Sequence, residues 1–431
     1  MNHRPQRPER CALTRLRYAP LATIIGRISS HSQGLSVKYC VLIMDGAAGL
    51  PLPDRAGKTS LEIARTPNID RLAQAGTVGL ARMVPDSLEP DSAVACMSIF
   101  GYDPRVYYGG RAPIEAMSLN IPMAAGEVLF RCNLVTVRDG VMVSHSAGSI
   151  STTEARELMT DLNAALGNDR IHIYPGVSYR SILKLKGAEE AVRAVCTPPH
   201  DIPGRPIAGN LPRGEGSQLL LDLMERSWEV LKDHPVNRRR TARGDLPANG
   251  IWLFWGSGHI PTMPSFRNTY HLRAAVTSGV NLLQGLGKMA GMDLLDIPGV
   301  TDGLDNDYAS QAKGALDALH RYDIVIVHVE APDEAGHTGS AMEKIEAIEK
   351  IDAAMVSKLI GRGSNELRVL VTADHPTPVP LRTHTSDPVP FVLWGAGFSA
   401  NGASRLTEAG GKATSLVIDP GYLIMRRLIG E

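Results

Sequence analysis

Three short motifs carry acids and imidazoles that could do metal chemistry together. Asp45 follows an apolar run. Asp333 and His337 sit in His328-Val-Glu330-Ala-Pro-Asp333-Glu334-Ala-Gly-His337. Asp374-His375 is followed nine residues later by His384. Carboxylates and imidazoles in one set suit Mn²⁺, Zn²⁺ or Fe²⁺, and suit Mg²⁺ less well. Three aspartates and three histidines offer enough donors for two such cations. Two cations about 3.5–4 Å apart can clamp the attacking and leaving oxygens of an in-line phosphoryl displacement. Each residue alone has a plainer reading. An Asp after a strand is an ordinary turn residue or helix cap, and one His is an ordinary surface or core residue. The set means something only if the fold brings its members together.

The elements that would do so are legible. Val37–Met44 runs into Asp45, Asp323–His328 into the Asp333 motif, and Leu367–Thr372 into Asp374. Such continuous apolar runs predict strands covered on both faces. Helical patterns lie at Thr66–Ala75, with Pro67 at an early position, at Ala309–Leu319 and at Ala341–Ile360. Strands alternating with helices predict a parallel α/β sheet. Open parallel sheets bind ligands beyond the carboxyl ends of their strands, so these distant motifs are expected at one edge.

Between residues 118 and 250 the pattern changes. Shorter strands are predicted at Val128–Val137, Val141–Ser144 and Tyr179–Leu185, with helices at Thr153–Leu166 and Gln218–Leu231. This reads as an α+β substrate-binding domain inserted into a metal-bearing domain made of residues 37–117 and 251–431. The stretch Pro235–Gly250, with Arg238-Arg239-Arg240, reads as a basic loop and a possible hinge.

Bulk properties narrow the function classes. A chain of 431 residues predicts about two domains. Its 43% hydrophobic and 21% charged residues are ordinary for a soluble protein. Lys+Arg and Asp+Glu both number 45, so no net charge draws the chain to nucleic acid or to an anionic membrane. Five scattered cysteines form neither a disulfide framework nor a Cys-x-x-Cys knuckle, and a reducing cytoplasm is the expected setting. No apolar run is long enough to span a bilayer. Residues 1–36 hold six arginines and one acid, Glu9, and are expected to be a disordered or over-long tail outside the fold. The sequence does not set the oligomeric state.

The order of Met44-Asp45-Gly46, Thr66-Pro67-Asn68-Ile69-Asp70-Arg71-Leu72, Asp333-x-x-x-His337, Asp374-His375 and His384 resembles the alkaline-phosphatase superfamily. Further motifs narrow the likeness. Ser92, then Ser98-Ile99-Phe100-Gly101-Tyr102-Asp103-Pro104 and Gly110-Arg111-Ala112-Pro113-Ile114-Glu115-Ala116, resemble the cofactor-independent phosphoglycerate mutases of the archaeal type. So do Phe130-Arg131-Cys132-Asn133, Tyr174-Pro175-Gly176-Val177-Ser178-Tyr179-Arg180 and Met263-Pro264-Ser265-Phe266. The likeness spans roughly residues 37–431.

This resemblance implies an alkaline-phosphatase-like parallel-sheet sandwich with an inserted α+β domain. It implies interconversion of 3- and 2-phosphoglycerate through a phosphoserine at Ser92. Asp45, Ser92, Asp374 and His375 would hold one divalent cation, and Asp333, His337 and His384 a second. Mn²⁺ comes first, with Zn²⁺, Mg²⁺ or Co²⁺ as alternatives. A serine needs a base or a metal to become a nucleophile at neutral pH. Arg111, Arg131, Arg180 and Arg273 would bind the anionic groups of a small phosphorylated acid, because a guanidinium fork matches oxyanions. The chain departs from the family in three places, one of them Arg273 where the family has a lysine. Family members tend to carry Asp-Arg-Arg-Ala-Gly-Arg where this chain has Ser144-His145-Ser146-Ala147-Gly148-Ser149, and Asp-Thr after the serine where it has Ala93-Val94. Two other readings stay open beside the mutase: a phosphomutase for another phosphorylated or phosphonylated acid, and a metal-dependent phosphatase. A non-catalytic binding protein on the same scaffold is the rival from another class.

Overall fold

The computed structural model describes residues 37–259 and 262–431, so the expected N-terminal tail lies outside the described residues. Thirteen strands are present among them: β1 Lys38–Met44, β2 Thr77–Ala81, β3 Glu127–Arg138, β4 Val141–Ser144, β5 Ile171–Pro175, β6 Arg180–Lys186, β7 Gly250–Ser257, β8 Ala274–Thr277, β9 Asp293–Leu294, β10 Ile324–Val329, β11 Leu367–Thr372, β12 Val389–Trp394 and β13 Val417–Ile418. Eight of them form one sheet in the order β13-β2-β12-β11-β1-β10-β8-β9. The other five form a second, antiparallel sheet.

The three apolar runs that precede the acid motifs become the centre of the large sheet. β1 is flanked by β10 and β11, parallel to both, with Met44 opposite Val329 and Ile43 opposite both His328 and Thr372. This register brings Asp45, Glu330 and Asp374 out at the same carboxyl edge, on strands spaced about 4.8 Å apart. The sheet is parallel-dominated rather than wholly parallel, since β12 runs antiparallel to both β11 and β2. Its faces are covered as the continuous apolar runs require. Val41, Ile43, Ile326, Val369 and Leu370 are all fully buried. Truncating one of these to alanine would cost about 2–5 kcal/mol through lost transfer energy and the cavity left behind.

Helices lie close to their expected places. The helix at Pro67–Ala75 has Pro67 in its first turn. The carboxylate of buried Asp352 accepts from the backbone N–H of Asn68 (3.0 Å) and Ile69 (2.7 Å), two donors that the helix itself cannot satisfy. Asp352 opens a π-helical turn, Asp352–Val356, inside the long helix expected over 341–360, which runs on to Ser357–Ile360, so the helix widens at the point that serves as its neighbour's cap. Among the described residues no helix is long and apolar enough to cross a membrane.

The smaller sheet has the order β4-β3-β6-β5, with β7 also pairing β3. It therefore takes in Gly250–Ser257, beyond the border expected at 250. It has its own core, in which Phe130, Trp252 and Phe254 are buried against the helices Thr152–Leu166 and Ser217–Leu231. The stretch read as a basic hinge is instead partly a helix, Pro235–Ala242, capped by His234. Arg240 explains why it is fixed. Its guanidinium is buried and donates to Glu154 (2.6 Å), to the Ala147 carbonyl (2.8 Å) and to the Leu246 carbonyl (2.9 Å).

Candidate functional site

The carboxyl edge of the large sheet gathers all seven acid, imidazole and serine residues expected to act together. Asp45 follows β1. Asp333 and His337 project from the helix Ala331–Thr338, which starts directly after β10. Asp374 and His375 follow β11, and Ser92 opens the helix Ser92–Ile99, whose cap is Asp91. Ser92 Oγ lies 3.1 Å from His375 Nε2. His375 Nε2 also lies 3.2 Å from Asp374 Oδ2 and 3.5 Å from Asp45 Oδ1. On the other side of His375, Asp333 lies 3.2 Å from His337 Nε2 and 3.5 Å from His384 Nε2. The rings of His375 and His384 stack at 3.9 Å, which joins the two groups.

Gly46 is what lets the loops close this tightly. Its φ is +59°, a left-handed value that favours glycine, and a Cβ there would overlap Asp333 and Thr377. Its N–H donates to Asp374 Oδ1 at 3.0 Å. Buried Lys344 ties the same loops from behind, donating to the Ala48 carbonyl at 3.0 Å and the Thr377 carbonyl at 2.7 Å. Burial holds its ammonium down to about 8.

The electrostatics of this edge fit cations. Asp45, Asp333 and Asp374 are fully or almost fully buried. Among the described residues they and Glu330 pair only with histidines, never with a lysine or arginine. Burial, then the neighbouring carboxylates, push the Asp45 carboxyl well above its ordinary range; burial does the same to Glu330 and also raises Asp374. Asp333 goes the other way: burial would raise it, but His337 and His384 hold it well below. Asp45 Oδ1 is buried with no hydrogen-bond partner, which is costly unless something positive meets it. His337 Nε2 and His384 Nε2 converge to 2.9 Å, as two ligands of one ion would. The donor atoms of Asp333, His375 and His384 lie within 4.8 Å of one another, as do those of Asp45, Asp374 and His375. The residues present therefore fit divalent metal ions.

Facing this edge is a cavity of about 180 Å³, lined by Ser92, Asp333, His337 and His384 on one side and by Arg111 and Arg180 on the other. The cationic wall comes from the smaller sheet and the segment leading into it. Arg180 starts β6 and stacks on Tyr179, its guanidinium carbon 4.7 Å from the ring centre, with no carboxylate paired to it among the described residues. Arg111 is paired with Asp91 (3.1 Å) and Glu115 (3.1 Å), and Arg131 with Glu115 (3.0 Å). Arg111 and Arg131 also lie 5.1 and 5.6 Å from the Trp255 ring. Trp255 sits at a bulge where β7 slips one residue against β3, with a strained φ of 48°.

Arg273 does not join this wall. It precedes β8, at the end of the sheet away from the carboxyl edge, and is half exposed against Asp323 at 3.1 Å. A residue before a parallel strand lands on the opposite edge from one after it. Ser144–Ser149 forms a tight turn in which Ala147, Gly148 and Ser149 all have positive φ, and the turn carries no arginine or lysine. Its own hydroxyls satisfy it, with Ser144 Oγ accepting from Gly148 N–H at 2.9 Å. His145 packs edge-on against Tyr179 and His200. Several residues here had no role in the sequence reading, among them His328, Glu330, Asp91, Glu115, Thr377 and Lys344. His328 and Glu330 did have a signal: they lie in the Asp333 motif, at the end of a strand.

A sequence model of the 2,3-bisphosphoglycerate-independent phosphoglycerate mutase family matches residues 73–237. A protein of that name from Methanothrix thermoacetophila is 47% identical over 396 residues, covering 91% of this chain and 100% of the relative. Among solved structures, the cofactor-independent phosphoglycerate mutase of Thermoplasma acidophilum is 27% identical with a TM-score of 0.60, covering 91% of this chain and 99% of its own. A protein from Pyrococcus horikoshii is 25% identical with a TM-score of 0.76, covering 92% and 97%.

Proposed function

The chain belongs to the 2,3-bisphosphoglycerate-independent phosphoglycerate mutase family, and from that premise we propose that it interconverts 3- and 2-phosphoglycerate through a phosphoserine at Ser92. One observation carries this reading. A single cavity is bounded by a buried serine among acid and imidazole donors on one side, and by Arg180 and Arg111 on the other. Two divalent cations, Mn²⁺ first among them, held by Asp45, Ser92, Asp374 and His375 and by Asp333, His337 and His384, would supply Lewis-acid stabilisation of charge on the transferring phosphoryl oxygens.

The chain's own groups do the rest. Ser92 Oγ attacks phosphorus, the bond from phosphorus to the glycerate oxygen breaks, and the serine carries the phosphoryl group while the proton lost from its hydroxyl is made good on the freed glycerate oxygen. His375 Nε2 and Ser92 Oγ lie 3.1 Å apart, so both donors face the place where one cation would sit. Ser92 opens a helix, whose positive end favours the added negative charge. Arg180, and Arg111 as it leaves Asp91 and Glu115, hold the carboxylate of the glycerate while it turns to present its other hydroxyl. The return transfer breaks the serine–phosphorus bond and frees Ser92. Water must be kept out during the turn, and residues 118–250 are the segment that would close over the edge.

The turn at Ser144–Ser149, which lacks a cation, favours a second reading: the same transfer on a different phosphorylated acid. Following ³¹P resonances of 3-phosphoglycerate with the Mn²⁺-loaded protein distinguishes these. Growth of the 2-phosphoglycerate signal without inorganic phosphate is expected. Inorganic phosphate as sole product would make the chain a phosphatase. No turnover of 3-phosphoglycerate, with transfer on another phosphorylated acid, would favour the second reading.

A further inference from the structure

The proposed chemistry gives His328 no task, yet it makes a short contact to Asp45, a proposed metal ligand. It lies in β10, one residue before the strand ends, and is 1% exposed. Its Nε2 is 2.6 Å from Asp45 Oδ2, and its Nδ1 is 3.0 Å from Ser278 Oγ. Buried Gln311 fixes the backbone at this point, donating to the His328 carbonyl at 3.0 Å.

The hydrogen bonds determine which ring nitrogen carries the hydrogen. An ionised Asp45 can only accept, so Nε2 must donate. Nδ1 then needs a donor. Ser278 Oγ accepts from the Val280 N–H at 3.0 Å, which leaves its own hydrogen free for Nδ1. The chain runs from Val280 through Ser278 and His328 to Asp45 Oδ2. The other oxygen, Asp45 Oδ1, is the buried atom without a hydrogen-bond partner, and it faces His375.

We propose that His328 is a positioning residue: with Ser278 fixing its tautomer, it holds Asp45 by Oδ2 so that Oδ1 alone is presented to the cation shared with Asp374 and His375. This rests on the proposed cation site. A carboxylate pinned at one oxygen cannot rotate to bind through both, and groups that orient a ligand from behind typically change metal affinity 10–100-fold. The donor atoms of Asp45, His328 and Glu330 also cluster within 4.8 Å. The 2.6 Å contact is a hydrogen-bond distance, however, and leaves no room for an ion between His328 and Asp45.

Titrating the full chain with Mn²⁺ and reading free Mn²⁺ by electron paramagnetic resonance tests this. Wild type should bind two equivalents. His328→Leu should weaken one site 10–100-fold and spare the other. His328→Gln, which returns an N–H near the lost Nε2, should recover most of that affinity. Ser278→Ala, a milder change that serves if His328→Leu does not fold, should weaken the same site several-fold. A purely structural role would lower the melting temperature of the metal-free protein equally in the Leu and Gln variants and would not separate the two sites. Unchanged Mn²⁺ affinity in both His328→Leu and Ser278→Ala would overturn the proposal while leaving the cation site standing. So would a third equivalent in wild type that is lost in His328→Leu. No Mn²⁺ binding by wild type would overturn both.

Discussion

The two walls of the cavity are built on opposite principles. The edge of the large sheet concentrates buried carboxylates: Asp45 and Asp374 both lie against His375, burial and then neighbouring carboxylates push them up, and Asp333 is held down by His337 and His384. The wall from the smaller sheet and the helix leading into it concentrates cations that are buried or half-buried: Arg111 and Arg131 share Glu115, and Arg180 lies over Tyr179. Neither is comfortable alone. Buried like charges are tolerated only where something of opposite sign completes them. The first wall accordingly calls for metal ions, and the second for an anionic substrate. On the cationic wall Glu115 and Asp91 already neutralise part of the charge, whereas Asp45 Oδ1 on the anionic wall is left with nothing. The anionic wall therefore depends more strongly on what binds to it.

Breaking the anionic wall should have the larger effects. Ser92→Ala removes the attacking oxygen, and turnover should fall by at least about 10⁴-fold, while Mn²⁺ stoichiometry in elemental analysis stays at two. Retained turnover would remove the covalent route. Asp333→Ala should drop the Mn²⁺ content from two equivalents to one and slow turnover on the order of 10²–10³-fold, reflecting the several kcal/mol that one cation provides. Breaking the cationic wall should act on binding instead. Arg180→Ala should raise KM about 30-fold or more, roughly 2 kcal/mol for a lost charge-assisted contact, with kcat less affected and metal content unchanged. An effect on kcat alone would mean that Arg180 acts on the reacting phosphoryl group rather than on the carboxylate.

The smallest effect is expected at the far edge of the large sheet. Arg273 hydrogen-bonds to Asp323 and, against a smaller opposing effect of burial, holds that carboxyl well below its ordinary range. A carboxyl depressed in the native state stabilises above its unfolded value near 4, and that contribution is lost as pH falls below it. Arg273→Ala should therefore lower the melting temperature slightly at pH 7, and the gap to wild type should close in acid. Its kcat/KM for phosphoglycerate should match wild type. A rise in KM would return Arg273 to the substrate site.

Much of the anionic wall could be read from the chain, and less of the cationic one. Asp45, Asp333, Asp374 and His375 follow buried strands or the helix just after one, and topology alone carries strand ends to one edge. The arginines have no such rule. Arg111, Arg131 and Arg180 come from a helix start, a strand middle and a strand start, and only the pairing of β3 with β6 brings the last two near each other. Arg273 shows the cost of reading motif without direction: lying before its strand rather than after it, it falls on the wrong edge. The helix at Pro235–Ala242 was hidden by its three consecutive arginines, which read as a solvated loop. Arg240 is in fact held by Glu154 and two carbonyls from other segments, contacts a local pattern cannot show. His328 had only its place in the Asp333 motif as a signal, since a histidine inside an apolar strand reads as core until its partner across the sheet is known.

The central claim is that the phosphoryl group passes through Ser92 between the two walls. Rapid acid quench of the Mn²⁺-loaded protein mixed with 3-phosphoglycerate, followed by mass spectrometry of the peptide containing Ser92, tests it directly. The predicted result is a phosphorylated Ser92 peptide that forms within one turnover and returns to unmodified serine once the phosphoglycerates are removed, without release of inorganic phosphate. Turnover to 2-phosphoglycerate with Ser92 unmodified at every quench time would contradict it.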